Sequence, residues 1–295
     1  MKSPHVTRQR PAGTRLTYRD YIVIEAAHLY RGLSPAEAAS LFFTCERVAR
    51  RRLLLLHQAG YLDRVQTPLH SGIGRAPFRY VPSNEGRRVI AERRECGVQD
   101  VRPMRDEPTT AHTRTIRDVA LMFHVAAIRA GFDFRTVTEW KPFKDTPTIE
   151  QQLSPTERIR PDGVMCISSK NAGTLLFLEV DRGHQTLQKS TVTQRSLREK
   201  LALYCRLFDS NQWKRWERYL DRAFSGFRVL YVTDTTDRAI EIARVVRELP
   251  DCGFVWVTDK DAMNGDLLHA PVCLVSDGEQ RAALLQESPS PESSP

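Results

Sequence analysis

No run of apolar residues in this 295-residue chain approaches the ~20 that a membrane-spanning helix needs, and the opening MKSPHVTRQR lacks the apolar stretch of a secretory signal. The expectation from these absences is a cytoplasmic protein with no membrane partner. Cysteine is sparse and scattered: Cys45, Cys96, Cys166, Cys205, Cys252 and Cys273 form no CxxC pair and no Cys/His cluster at zinc-finger spacing. That excludes a zinc-finger framework and predicts free, reduced thiols. What is present, 41% hydrophobic residues with 27% charged, is enough apolar material at this length for two folded cores.

Acidic residues are scarce in one part only. Residues 1–98 hold 17 Lys and Arg against 8 Asp and Glu, a net of +9, which leaves 27 against 28, a net of −1, for residues 99–295. A basic segment joined to a neutral one predicts a polyanion-binding module carrying something else, because neutralising phosphates releases counterions and so drives association. The plainer alternative is that the arginines only keep a surface hydrated.

Hydrophobic spacing orders the basic segment as helix, helix, helix, hairpin, helix. Tyr18, Ile22, Ala26 and Leu29 recur at helical spacing and Gly32 supplies a stop. Ser34-Pro35-Ala36-Glu37 combines a cap, a proline at the first helical position and a carboxylate three residues on, predicting a short second helix to about Leu41. A third helix is predicted from about Cys45 to Gln58, ending at Gly60. With Leu53 and Leu56 inward, Ala49 joins them, Arg47, Arg51 and Leu54 face outward, and Arg50 lies on the flank. Such a ridge has the charge and width to lie in a major groove, where arginines bond guanine edges or phosphates.

Two strands, Tyr61 to Val65 and Phe78 to Val81, enclose a loop bearing His70 and Arg75, with Arg64 and Arg79 at its flanks. The candidate DNA-contacting residues are therefore Arg47, Arg50, Arg51, Arg64, His70, Arg75 and Arg79. A fourth helix is predicted from the Ser83/Asn84 cap through Arg94. The series Leu53, Leu56, Gly60, Tyr61, Leu62, followed by Ser83-Asn84-Glu85-Gly86, resembles the winged-helix domains of bacterial transcriptional regulators. That resemblance implies duplex DNA as partner, although such domains also dock proteins.

Residues 97–110 lose periodicity and gather proline and mixed charge, as a linker would. Beyond them an amphipathic helix runs from His112 to Ala130, closed by Gly131, and a strand from Phe134 to Trp140. Strands from Arg158 to Ile167 and Thr174 to Val180 flank a turn at residues 170–173, and a helix from about Gln194 to Phe208 carries Lys200 and Tyr204 one turn apart. The alternation continues as strand (Phe227 to Thr233), helix (Asp237 to Leu249) and strand (Cys252 to Thr258), predicting a mixed α/β sheet with helical cover.

Asp162 and Glu179 fall on neighbouring strands of that hairpin, so both carboxylates can converge on one divalent cation beside a backbone carbonyl near Val180. Hard oxygen donors suit Mg²⁺ or Mn²⁺, which would orient water and stabilise charge on a scissile phosphate. The arrangement resembles the PD-(D/E)xK nuclease superfamily. More closely, His112, Glu139-Trp140, Pro161-Asp162-Gly163, Glu179-Val180-Asp181-Arg182-Gly183 and Lys200-x-x-x-Tyr204, behind the basic domain, resemble the replication-relaxation family. That resemblance covers residues 15–260 and implies a protein of plasmids or other mobile elements. Active nucleases of the superfamily have lysine where this chain has Asp181, an acid the replication-relaxation family shares. Lys200 is the candidate to supply the missing positive charge from the helix.

The plainer alternatives are that Asp162 caps a turn, that Glu179 and Asp181 pair with Arg160 and Arg182, that Trp213 and Trp216 pack the core, and that His112 and His184 are not ligands. The fold class expected is α+β: a winged helix-turn-helix (residues 15–96), the linker, a restriction-endonuclease-like mixed-sheet domain (residues 111–280) and a disordered tail (residues 281–295). The catalytic candidates are Asp162, Glu179, Asp181 and Lys200, and the metal candidates Asp162 and Glu179. Three functions follow: a mobile-element protein binding double-stranded DNA, a Mg²⁺-dependent nicking endonuclease, or a transcriptional regulator whose second domain dimerises it. Partners of the first reading are duplex DNA, a second copy of the chain and other replication or transfer proteins.

Overall fold

A computed structural model describes residues 15–66, 78–103, 110–170, 172–183, 196–249, 252–263, 267–274 and 281–284. The chain divides into two compact units: residues 1–114 with 140–146, and residues 115–139 with 147–295. Among the described residues no helix is long and apolar enough to cross a membrane.

The first unit comprises helices α1 (Tyr18–Leu29), α2 (Pro35–Phe42) and α3 (Glu46–Gln58), strands β1 (Leu62–Gln66) and β2 (Phe78–Pro82), and helix α4 (Asn84–Arg93). Two helix starts are set by reciprocal caps. The Thr17 N–H donates to Asp20 Oδ2 at 2.7 Å while Thr17 Oγ1 accepts from the Asp20 N–H, and Ser34 and Glu37 repeat the device ahead of Pro35. Strands β1 and β2 pair antiparallel from Leu62↔Pro82 to Gln66↔Phe78, and Leu33 adds a bridge to Tyr80. Gly32 makes that bridge possible: it sits at φ +107°, and a Cβ there would come within 3.0 Å of Val81.

Ala49, Leu53 and Leu56 are the inward residues of α3, and Val23, Ile24, Ala27, Leu33, Ala38, Leu62 and Ile90 in the same unit are likewise buried. The SNEG sequence opening α4 has a structural cause. Ser83 Oγ donates to the Gly60 carbonyl at 2.5 Å and accepts from the Gly86 N–H at 3.1 Å, and a Cβ on Gly86 would lie 2.2 Å from the Tyr61 carbonyl oxygen. Only glycine lets α4 approach the start of β1 so closely.

Residues 97–103, expected to belong to a linker, are packed into this unit. Val101 is fully buried and bridges Phe143, while the Arg87 guanidinium donates to the Val101 and Val98 carbonyls. The segment 140–146 joins the same unit: Trp140 Nε1 donates to the Leu29 carbonyl at 3.0 Å, and His28 Nε2 lies 2.9 Å from the Pro142 carbonyl oxygen.

The second unit follows α5 (Ala111–Ala130) with β3 (Asp133–Thr138), β4 (Gln151–Gln152), β5 (Arg158–Ile159), β6 (Gly163–Ser168), β7 (Gly173–Asp181), α6 (Leu197–Asp209), α7 (Arg215–Leu220), β8 (Phe227–Thr233), α8 (Thr236–Arg247), β9 (Val255–Asp259), β10 (Pro271–Leu274) and β11 (Arg281–Ala283). A seven-stranded sheet has the order β11-β10-β9-β8-β7-β6-β3. Its centre, β7-β8-β9, is parallel, and both flanks are antiparallel. The architecture is thus the mixed α/β expected from the alternating pattern.

Centrality explains why β7 is buried without a break from Leu175 to Asp181, as a strand covered on both faces must be. One face, through Leu175, Phe177, Val229, Tyr231, Val255 and Val257, packs with α6, α8, Trp213 and Trp216 in a single core, so both tryptophans are packing residues. The strand expected over 158–167 is split in two. Pro161, which has no N–H for a ladder, separates β5, which pairs with β4, from β6 in the main sheet. Residues 281–283, expected to open a disordered tail, pair with β10 instead.

Candidate functional site

Two places carry the chemistry, one in each unit. In the first unit the arginines sort by direction. Arg52 turns inward to Asp20, its Nε donating to Oδ1 at 2.6 Å; burial opposes the Asp20 charge, but the Arg52 guanidinium and the Thr17 bonds outweigh it and hold that carboxyl below its ordinary range. Arg79 donates to Glu37 at 2.8 Å and to the Gly32 carbonyl, which ties β2 to α2. Arg93 and Arg94 pair with Glu25.

The outward face of α3 is different. Arg47 and Arg51 are exposed and make no ion pair among the described residues. Arg50, on the flank, is paired to Glu46 one turn earlier, and Arg64 on β1 stacks its guanidinium 3.9 Å from the Phe78 ring centre while staying exposed. His70 and Arg75 lie outside the described residues. Of the residues singled out on charge, Arg47 and Arg51 thus remain open to a ligand, whereas Arg79 is engaged inside the unit.

In the second unit the hairpin β6-β7 sets Gly163 opposite Leu178, which brings Asp162 beside Glu179. The Asp162 N–H donates to the Leu178 carbonyl at 2.9 Å, and Asp162 Oδ2 accepts the Val180 N–H at 2.7 Å. Glu179 points to the α6 side, where Ser196 and Glu199 form a capping box that fixes the helix start. Lys200 and Tyr204, one turn apart on α6, both reach Glu179. The Lys200 ammonium is ion-paired to Oε2, and the Tyr204 hydroxyl donates to Oε1 at 2.5 Å.

Burial pushes the Glu179 carboxyl up to about 7, with Lys200 pulling it down and Asp162 pushing it further up. Burial works against the Lys200 charge, yet Glu179 and Asp162 leave its ammonium more basic than usual. Burial and the neighbouring Glu179 raise both the Tyr204 and the Tyr231 hydroxyls well above the ordinary phenol. Tyr231 stands directly across from Glu179 on β8, and its hydroxyl has no hydrogen-bond partner among the described residues. Sequence reading missed it, because the parallel pairing of β7 with β8 is non-local.

Asp181 is buried too, but its partners are new. Its Oδ1 accepts the Gly183 N–H at 2.8 Å and its Oδ2 accepts from Arg238 of α8 at 2.7 Å. The pairing of these acids with Arg160 and Arg182 does not occur: Arg160 pairs with Glu139 and Arg182 with Asp234. Asp162, Glu179 and Lys200 therefore come together, while Asp181 is held in a separate ion pair.

Nuclease-like chemistry would place Mg²⁺ or Mn²⁺ on Asp162 and Glu179. Both oxygens of Glu179 are already taken by an ammonium and a phenol, and one of Asp162 by a backbone N–H. Among the described residues no group of three or more His, Cys, Asp or Glu side chains is arranged to hold a metal ion. A cation bound at this cluster would therefore have to displace the Lys200 or the Tyr204 contact from Glu179.

Compared with known proteins, the chain matches the family described as Replication-relaxation over residues 20–221, more than half of its length. No curated protein and no solved structure matches it.

Proposed function

The chain belongs to the replication-relaxation family, and from that premise we propose that it binds duplex DNA of a plasmid or other mobile element during replication. The first unit acts as a winged helix that lays the outward face of α3 in the major groove, and the second is a nuclease-like domain used for assembly on DNA. The observation that carries this reading is the sorting of the arginines. Asp20, Glu25, Glu37 and Glu46 engage Arg52, Arg93, Arg94, Arg79 and Arg50, and Arg47 and Arg51 are left facing solvent. Exposed cations that form no ion pair among the described residues keep their attraction for phosphate. A mobility-shift assay on duplex DNA checks it: the full chain shifts the duplex, and Arg47→Ala/Arg51→Ala weakens binding by about tenfold. A chain that shifts no duplex at all would overturn it.

The convergence of Asp162, Glu179 and Lys200 supports a second reading, a Mg²⁺-dependent nicking endonuclease. Supercoiled plasmid incubated with the protein and Mg²⁺ or Mn²⁺ separates the two. Nicking that disappears in Asp162→Ala establishes the enzyme, and intact plasmid leaves a domain that binds or assembles.

A further inference from the structure

Leu54 lies on the outward side of α3, with 37% of its surface exposed. Leu53 and Leu56 on the same helix are wholly buried, so the core of the unit is complete without it. In helical projection Arg47, Arg51 and Leu54 fall within about 60° of one another, which puts one aliphatic side chain at the C-terminal end of a stripe that holds two exposed cations. Val48, the other large apolar side chain exposed on α3, is roughly 120° away around the axis. The two do not merge into an apolar patch of the size that marks a protein-docking face. Flanking charge instead commits the stripe to a polyanion.

We propose that Leu54 reads the 5-methyl group of a thymine in the major groove, with Arg51 and Arg47 anchoring phosphates or guanines about one and two turns before it on the same stripe. The inference rests on the duplex-binding reading above. Its physical basis is that the thymine methyl is the apolar feature of the base edges in that groove, where other edge positions present hydrogen-bond donors and acceptors. A leucine there gains by covering the methyl and loses by facing a polar edge, so it contributes sequence preference where a third arginine would add only charge.

The test is selection of duplexes from a random-sequence library by the full chain, followed by replacement of each thymine of the selected site with deoxyuridine, which removes only the methyl. At one position the affinity of the unaltered protein should fall about fourfold, the effect of one lost methyl contact. Leu54→Ala should bind the thymine and deoxyuridine versions of that site equally while the folded chain persists, with at most a small drop in thermal melting because the side chain is partly exposed and lies outside the core. Deoxyuridine tolerated at every position, or duplex binding with no selected sequence, would overturn the inference and leave DNA binding standing. Failure to retain any duplex would sink both.

Discussion

The Lys200 ammonium on α6 is ion-paired to the Glu179 carboxylate near the C-terminal end of β7, which has only 2% of its side chain exposed. Removing one partner of such a pair leaves an uncompensated group in the interior. Lys200→Met should therefore cost about 3–5 kcal/mol in urea unfolding. The double variant Glu179→Gln/Lys200→Met should cost less than the two single changes added together. Strictly additive costs would mean that the two groups do not interact.

Because burial raises Glu179 to about 7 against an ordinary value of 4.5, the folded chain holds its proton through a window in which the unfolded chain has lost it. Stability from this group is complete below pH 4.5 and falls as pH rises through 7, by up to about 3 kcal/mol. His124, whose burial lowers it to about 4, acts with the opposite sign between pH 4 and 6.5. The diagnostic quantity is thus the difference between the unaltered chain and Glu179→Gln. The variant should gain stability relative to it from pH 5 to pH 8, and a flat difference would show that Glu179 titrates normally.

Much of this was legible in the sequence where the signal is local. The Ser34-Pro35-Ala36-Glu37 cap, the apolar spacing of Ala49, Leu53 and Leu56, and the helical interval between Lys200 and Tyr204 lie within one or two turns of chain, and the structure has each of them. What was not legible depends on distant partners. Asp20 is fixed by Arg52 across 32 residues, Asp181 by Arg238 across 57, and Tyr231 faces Glu179 through a parallel pairing. Short elements escaped for a different reason. α7 has six residues and β11 three, too few for periodicity to register, and both are held by tertiary packing.

The contact of Gly86 with β1 gives a prediction about stability alone. A Cβ at this position would meet the Tyr61 carbonyl oxygen, which cannot move without breaking its bond from the Ser83 N–H. Gly86→Ala should lower stability by roughly 1–3 kcal/mol in thermal or urea melts, although alanine is the better helix former. An unchanged or raised midpoint would show that α4 has room to move.

The account stands on the outward arginines of α3 meeting phosphates, and the salt dependence of binding tests that most directly. Fluorescence anisotropy of a labelled duplex, titrated with the full chain from 50 to about 200 mM salt, should give a steep linear fall of log affinity with log salt. Arg47→Ala/Arg51→Ala should flatten that slope by about 2, one phosphate contact per arginine removed, with the melting temperature unchanged. Equal slopes for the two proteins, or an affinity indifferent to salt, would contradict the account.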